Sequence, residues 1–438
     1  MNDLIGISLP ALLKIGALVG GIMTGAAYFV LLERRMAAWV QDRRGPNRVG
    51  FPLGVLVPGL KDLKLLGLGQ PAADGLKMIL KEEYTPDHVD KRMFILAPVV
   101  IMTAALAIFA VIPFGSSVPP LDTLPVVGAL LTNIDLPFLH EPMDLIVAPQ
   151  IDVGLIYVFA LSSIAVYGVI LGGWSSNNKY GFLGALRSSA QMIAYELPLG
   201  LGILGVVLAT GSLKLDSIIG QQADSGVWFV MAQPLGFIVF LVAAFAEAAR
   251  LPFDLPEAEQ ELIGGYHTEY AGMKLLLFLT SEFIHMMTAS FLIVILFLGG
   301  WHFWGLTGSA GDEITWGLAI ARIGVLCFKI FWMIVFFMLV RWSWPRFRFD
   351  QLMTLAWKVM LPLGLLNLFA VAILTEAQHV GWFGGLFENR VAVVVTGWIV
   401  AVGSWFVVAL MAPLVTDNRP RLDMEEQGID PQIGPSVS

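Results

Sequence analysis

The chain has one cysteine, Cys327, and it sits in an apolar run. A lone cysteine forms no intrachain disulfide and cannot by itself hold an iron–sulfur cluster or a structural zinc. Charge is also scarce. Asp, Glu, Lys and Arg make up 14% of the 438 residues, where a soluble domain carries about 25%. Hydrophobic residues reach 57% and the mean hydropathy is +0.77. A soluble enzyme is all but excluded on that balance. Basic patches interleaved with aromatics are missing, which argues against a nucleic-acid partner. No internal repeat is visible.

What the sequence does have is long apolar runs. Nine of them, near 10–32, 93–113, 153–173, 190–211, 228–248, 273–300, 316–340, 354–375 and 391–413, are long enough to cross a hydrocarbon core of ~30 Å as helices. Lipid offers no partner to free backbone groups, so each is expected to be helical. The expected fold is all-α: a single polytopic membrane domain of about nine spans over 1–413, with a polar tail over 414–438. The first run is expected to be retained, because its charges follow it, unlike those of a cleavable signal. The stretch VLVPGLKDLKLLGLGQPAADGLKMIL (55–80) alternates apolar faces with Lys and Asp, as amphipathic interfacial helices do. The stretch 119–150 has apolar pieces broken too short to span.

Basic residues set the orientation. The first loop carries Arg34, Arg35, Arg43, Arg44, Arg48, Lys61, Lys64, Lys77, Lys81, Lys91 and Arg92. Lys179 and Arg187, then Arg341, Arg346 and Arg348, fall in loops on the same side if nine helices alternate. The opposite loops hold Lys214 and Arg390. Positive charge collects in the cytoplasm. The N-terminus is then outside and the C-terminus cytoplasmic.

Ionisable groups inside the spans carry the chemistry. Glu196, Glu247, Glu282 with His285, and Arg322 with Lys329 lie in runs four to seven. Each costs at least ~2.5 kcal/mol at depth, so such groups face protein or water and mark ion paths. The competing account is a set of structural ion pairs. GLGILG (200–205) matches a dinucleotide fingerprint but sits inside a span, so close helix packing is the better account. Gly16, Gly20, Gly21 and Gly25 read the same way. ERRMAAWVQDRRGPNRVG (33–50) closes the first helix. Its arginines suit a topology anchor, but an anchor has no need of Glu33. RWSWPRFRFDQLM (341–353) suits either a headgroup belt or a docking surface.

RLPFDLPEAEQELIGGYHTEY (250–270) places Asp254, Glu257, Glu259, Glu261 and Glu269 between two apolar runs. Pro252 and Pro256 stiffen it, and Glu257 and Glu261 have the spacing of one helix face. A solvated linker needs neither feature. A rigid acidic loop fits a proton-loading or partner-docking site.

These motifs, with QPAADGLKMILKEE, GGWSSNNKYGFLGALRSSAQMIAYE and RWSWPRFRFDQLMTLAWKVMLPL, fall in a characteristic order. That order resembles the H-subunit family of bacterial proton-pumping NADH:quinone oxidoreductase, respiratory complex I. The resemblance covers most of 30–365. It implies a component of the bacterial inner membrane that helps form the quinone-reduction chamber and couples it to proton translocation. It implies no redox centre in this chain and quinone as substrate, with electrons arriving from soluble iron–sulfur subunits. Neighbouring membrane-arm subunits are the other implied partners. Glu33, Arg34, Arg43, Arg48, Arg250, Phe253 and Asp254 match the chamber and its entrance. Asp74, Lys77, Glu82, Glu83, Glu196, Glu247, Glu257, Glu259, Glu261, Glu269 and Glu282 match the proton-coupling route. No metal site is implied. The anchor subunit of a related membrane-bound hydrogenase and a self-contained proton or cation transporter are the alternatives. The sequence departs from the family in about ten extra residues after GPNRVG, in the 119–150 insertion, and in a ninth span with a tail.

Overall fold

The computed structural model describes residues 2–47, 67–120, 142–149, 151–254, 264–308, 314–380 and 390–416. Among them there is no strand, and Val118 and Met143 form an isolated antiparallel bridge. The helices in chain order are α1 (Asn2–Val40), α2 (Gln70–Leu80), α3 (Lys91–Ala107), α4 (Gly154–Ser175), α5 (Lys179–Thr210), α6 (Leu215–Ser225), α7 (Pro234–Glu247), α8 (Gly272–Phe297), α9 (Trp316–Ser343), α10 (Phe349–Thr354), α11 (Leu361–His379) and α12 (Arg390–Thr416). A π-helical turn, Leu355–Met360, joins α10 to α11. Pro362 at the start of α11 supplies no N–H to that preceding turn. Eight helical runs among the described residues are long and apolar enough to cross a membrane.

Local chemistry fixes the ends. Asp90 accepts from Arg92 N and Met93 N at the start of α3, and Asn178 accepts from Tyr180 N at the start of α5. Such caps satisfy donors that a helix leaves open. Gly211 ends α5 at φ +67°, a left-handed conformation that costs a glycine little. The fifth apolar run is not one continuous helix. A single helical turn, Phe229–Ala232, precedes α7, and Gln233 between them is non-helical. The residue before a proline is pushed out of the helical region, and Pro234 imposes that here. The remaining 14 residues of α7 rise only about 21 Å.

Helix α8 is the axis of the fold. In its apolar window 89% of residues are buried, against 17% in α1 and in α12. It packs against α1, α3, α7 and α9, which therefore wrap it. Small residues bring α3 and α4 together, where a β-carbon on Gly168 would stand 2.8 Å from Ile101 Cβ. Gly202 and Gly205 of GLGILG meet Phe240 and Asn367 in the same manner, as expected. The glycines of α1 differ. Gly16, Gly20 and Gly21 have nothing within 4 Å of a β-carbon position, and Gly25 alone meets a neighbour, Met287. The reason is that α1 lies at the rim of the bundle.

The interfacial expectation for 55–80 falls partly on described residues. Helix α2 is amphipathic by sequence, has no buried residue and rests on α1 and α8. Residues 55–66, most of 119–150 and the tail from 417 lie outside the described residues. So do Arg48, Glu257, Glu259 and Glu261.

Candidate functional site

Three segments far apart in sequence end beside one another. They are the end of α1, the segment after α7, and the end of α9. Between them lies a cavity of about 1060 Å³. Glu33, Arg34, Arg43, Arg250 and Glu282, all singled out from sequence, line it. Arg44 and Arg341 add two further cations, while Val30, Ala37, Leu279, Phe283 and Trp342 add an apolar wall.

Glu33 organises the wall. Its carboxylate is buried and accepts from Arg250 Nη1 at 3.3 Å and from Arg341 Nη1. This accounts for an acid at the end of α1 among so many arginines. It is the counter-ion of two cations, one from the segment after α7 and one from the end of α9. A buried ion is tolerated when paired in this way. Arg250, 5% exposed, also lies over the Phe283 ring at 4.1 Å. Its Nε and Nη2 are buried and have no hydrogen-bond partner among the described residues. Glu282 is buried too and accepts from Tyr266 Oη at 3.2 Å.

The segment after α7 is held rigidly. Gln191 Nε2 donates to Ala246 O at 2.8 Å and Phe253 O at 2.6 Å. Phe253 stacks on Phe347 at 5.5 Å, and Arg346 Nη2 bonds Asp254 Oδ2 at 3.0 Å. Phe253 and Asp254, which the resemblance matches to the chamber and its entrance, fasten this segment to the 341–349 loop and are not among the residues lining this cavity. An apolar ring and a buried acid with an arginine within reach gain more from that contact than from facing solvent.

Two acids lie apart from the large cavity. Glu247 accepts from Ser162 Oγ, and Glu196 accepts from Ser163 Oγ. Adjacent serines of α4 thus serve acids on α7 and α5. Glu247 also lines a separate, much smaller space of about 10 Å³ together with Ser162, His285 and Thr288. The outlying acids range from half-buried to exposed. Asp74 bonds Arg34 Nη1 at 2.6 Å, Glu83 lies 3.8 Å from Lys274 Nζ, and Asn178 Nδ2 donates to Glu269 Oε1 at 2.7 Å. Lys77 and Glu82 are exposed. Tyr270, just before α8, stacks on Phe94 at 3.9 Å, and burial pushes its hydroxyl up to about 12.

The cations of α9 have a structural task. Lys329 Nζ donates to Leu298 O, Gly300 O and His302 O at 2.6, 2.9 and 2.6 Å. It thereby ties the turn that follows α8 to α9. Buried Arg322 donates to Thr307 O at 3.1 Å and lies over Trp301 at 4.2 Å. For this pair the structural account is the better one. Sequence reasoning passed over Ser162, Ser163, Gln191, Tyr266 and the role of Arg341. The paired serines in the apolar ALSSIAV offered a signal, whereas the others become visible only through non-local contacts. Among the described residues no three His, Cys, Asp or Glu side chains gather as a metal would require.

A family model described as NADH dehydrogenase matches residues 13–372. The H subunit of NADH-quinone oxidoreductase from Leptospira biflexa serovar Patoc is 43% identical over 372 residues, covering 84% of this chain and 96% of that protein. The first of the H subunits of NADH-quinone oxidoreductase from Geobacter metallireducens is 42% identical over 357 residues, 82% of this chain and 94% of that one. The H subunit from Flavobacterium psychrophilum is 40% identical over 351 residues, 80% and 92% of the two chains. Helix α12 falls outside the matched family region.

Proposed function

The chain belongs to the NADH dehydrogenase family, that of the H subunit of NADH-quinone oxidoreductase, a multi-pass membrane component of an enzyme complex, and on that premise we propose that its large cavity is the wall of the quinone-reduction chamber. The supporting observation is Arg250. Its Nε and Nη2 are buried donors without a protein partner among the described residues, and the residue lines the cavity.

Reduction of a quinone to a quinol takes up two electrons and two protons. In this proposal the electrons come from an iron–sulfur partner in the hydrophilic arm. Negative charge develops on the quinone oxygens before the protons arrive. Fixed guanidinium donors in a site poor in water stabilise such charge strongly. Five arginines and two carboxylates line the cavity, so its balance is cationic. The apolar residues Val30, Leu279, Phe283 and Trp342 suit a ring and a hydrocarbon tail. The carboxylates Glu33 and Glu282 feel the reaction at close range, and Glu282, Glu247 and Glu196 are the groups proposed to carry its consequence toward neighbouring subunits. The orientation proposed from charge puts the cavity on the cytoplasmic side of a bacterial inner membrane.

The test is Arg250→Met and Arg250→Lys in the assembled complex. The expected result is a fall of about tenfold or more in NADH:quinone turnover, equivalent to roughly 1.4 kcal/mol or more of lost stabilisation. Electron flow from NADH to an artificial acceptor that bypasses quinone should persist. Normal quinone turnover in both variants refutes the chamber.

A further inference from the structure

Helix α8 carries a buried imidazole that the scheme above leaves unused. His285 is 7% exposed, and its Nε2 has no hydrogen-bond partner among the described residues. It stands three residues beyond Glu282, hence one turn along the same face. Glu282 lines the large cavity. His285 lines the small one, together with Glu247 and Ser162. His285 thus stands one helical turn from an acid of the large cavity and shares the small space with an acid that does not line it.

The size of the small space is informative. It holds about 10 Å³ of room for the centre of a water-sized sphere, and one water needs roughly 10–15 Å³ by that measure and two to four polar partners. His285, the Glu247 carboxylate and the Ser162 hydroxyl supply them, with the Thr288 oxygen adjacent. An apolar space of this size would stay dry.

We propose that His285 carries protons between Glu282 and Glu247 through one buried water that it shares with Glu247 and Ser162. The proposal rests on the reading that protons pass along these carboxylates. A proton leaves the Glu282 carboxyl, which becomes a carboxylate, and the imidazole becomes imidazolium. The imidazolium then gives a proton to the water as the water gives one to Glu247. Imidazole returns to neutral, and Glu247 ends as the carboxylic acid. No electron moves. The polar groups that line the small space with His285 are Ser162 from α4, Glu247 from α7 and Thr288 on its own helix, and Glu282 stands one turn away on that helix. The turn that extends α3 presents apolar Ile108.

The experiment is His285→Asn in the whole complex, with His285→Gln standing in should Asn block assembly. Both keep hydrogen bonding and lose the transferable proton. Turnover with quinone is expected to fall severalfold, with a flattened pH profile and a larger slowing in heavy water than in the parent complex. Parental turnover, or a loss with unchanged pH profile and isotope effect, assigns His285 to packing and overturns the proposal. Failure of the chamber itself reads differently, as normal quinone turnover in the Arg250 variants.

Discussion

Arg250 holds its guanidinium 3.3 Å from the Glu33 carboxylate and 4.1 Å from the centre of the Phe283 ring. The contact joins residues 217 positions apart. It ties the segment after α7 to the end of α1, and Arg341 ties the end of α9 to the same acid. Glu33 is thus the knot on which the cavity depends.

Replacing Glu33 by Gln takes the carboxylate partner away from buried Arg250 and from half-buried Arg341. Removing one partner of a buried pair costs about 3–5 kcal/mol. The variant complex is expected to assemble poorly, and what assembles should lose quinone turnover at least as severely as Arg250→Met. Blue-native electrophoresis and NADH:quinone assays check this. Parental amounts with parental turnover would show that the knot is dispensable.

Ser162→Ala and Ser163→Ala separate Glu247 from Glu196. Each removes the hydroxyl that donates to one carboxylate, Glu247 or Glu196. A hydrogen bond to a carboxylate contributes about 1.5–3 kcal/mol, and each variant removes one from a half-buried acid. Proton uptake in vesicles should therefore slow by about tenfold in each variant, while electron flow to an artificial acceptor stays unchanged. Equal rates in parent and variants would exclude both serines from the route.

How much of this was legible in sequence differs by the range of the interaction. The spans follow from apolar length alone, which is a local property. The break at Gln233 was equally local, since Pro234 follows it, yet the continuous run 228–248 masks it. Glu33 stood out because a topology anchor has no use for an acid. Its partners could not be read, because Arg341 is 308 residues away. The family resemblance placed Phe253 and Asp254 in the chamber wall. The aromatic stack and ion pair that turn them toward the 341–349 loop are tertiary contacts with no periodicity to betray them. Open space beside Gly16, Gly20 and Gly21 likewise depends on what lies next to α1.

Lys329 makes a prediction opposite in kind. It donates to three carbonyls just after α8 and does not line the large cavity. Lys329→Met strands those carbonyls. Charged hydrogen bonds contribute roughly 1.5–3 kcal/mol each, so the complex should unfold at a visibly lower temperature in detergent. The Michaelis constant for quinone should not move. A large change in that constant with unchanged thermal stability would return Lys329 to an ion path.

His302 gives the loop after α8 a pH dependence of definite sign. Burial is the main cause holding its imidazole below the ordinary histidine range, and the nearby Lys329 ammonium adds to it. The folded loop therefore keeps His302 neutral where the unfolded chain, with a value of about 6.5, already binds a proton. Stability is fully present above that value and is lost as the pH falls below it, because the unfolded state takes up the extra proton. Amide hydrogen exchange over 299–307, corrected for intrinsic rates, is expected to speed up between about pH 7.5 and about pH 5.5. His302→Asn should remove most of that dependence. Protection that rises on acidification would reverse the sign and place a stabilising carboxylate beside the ring.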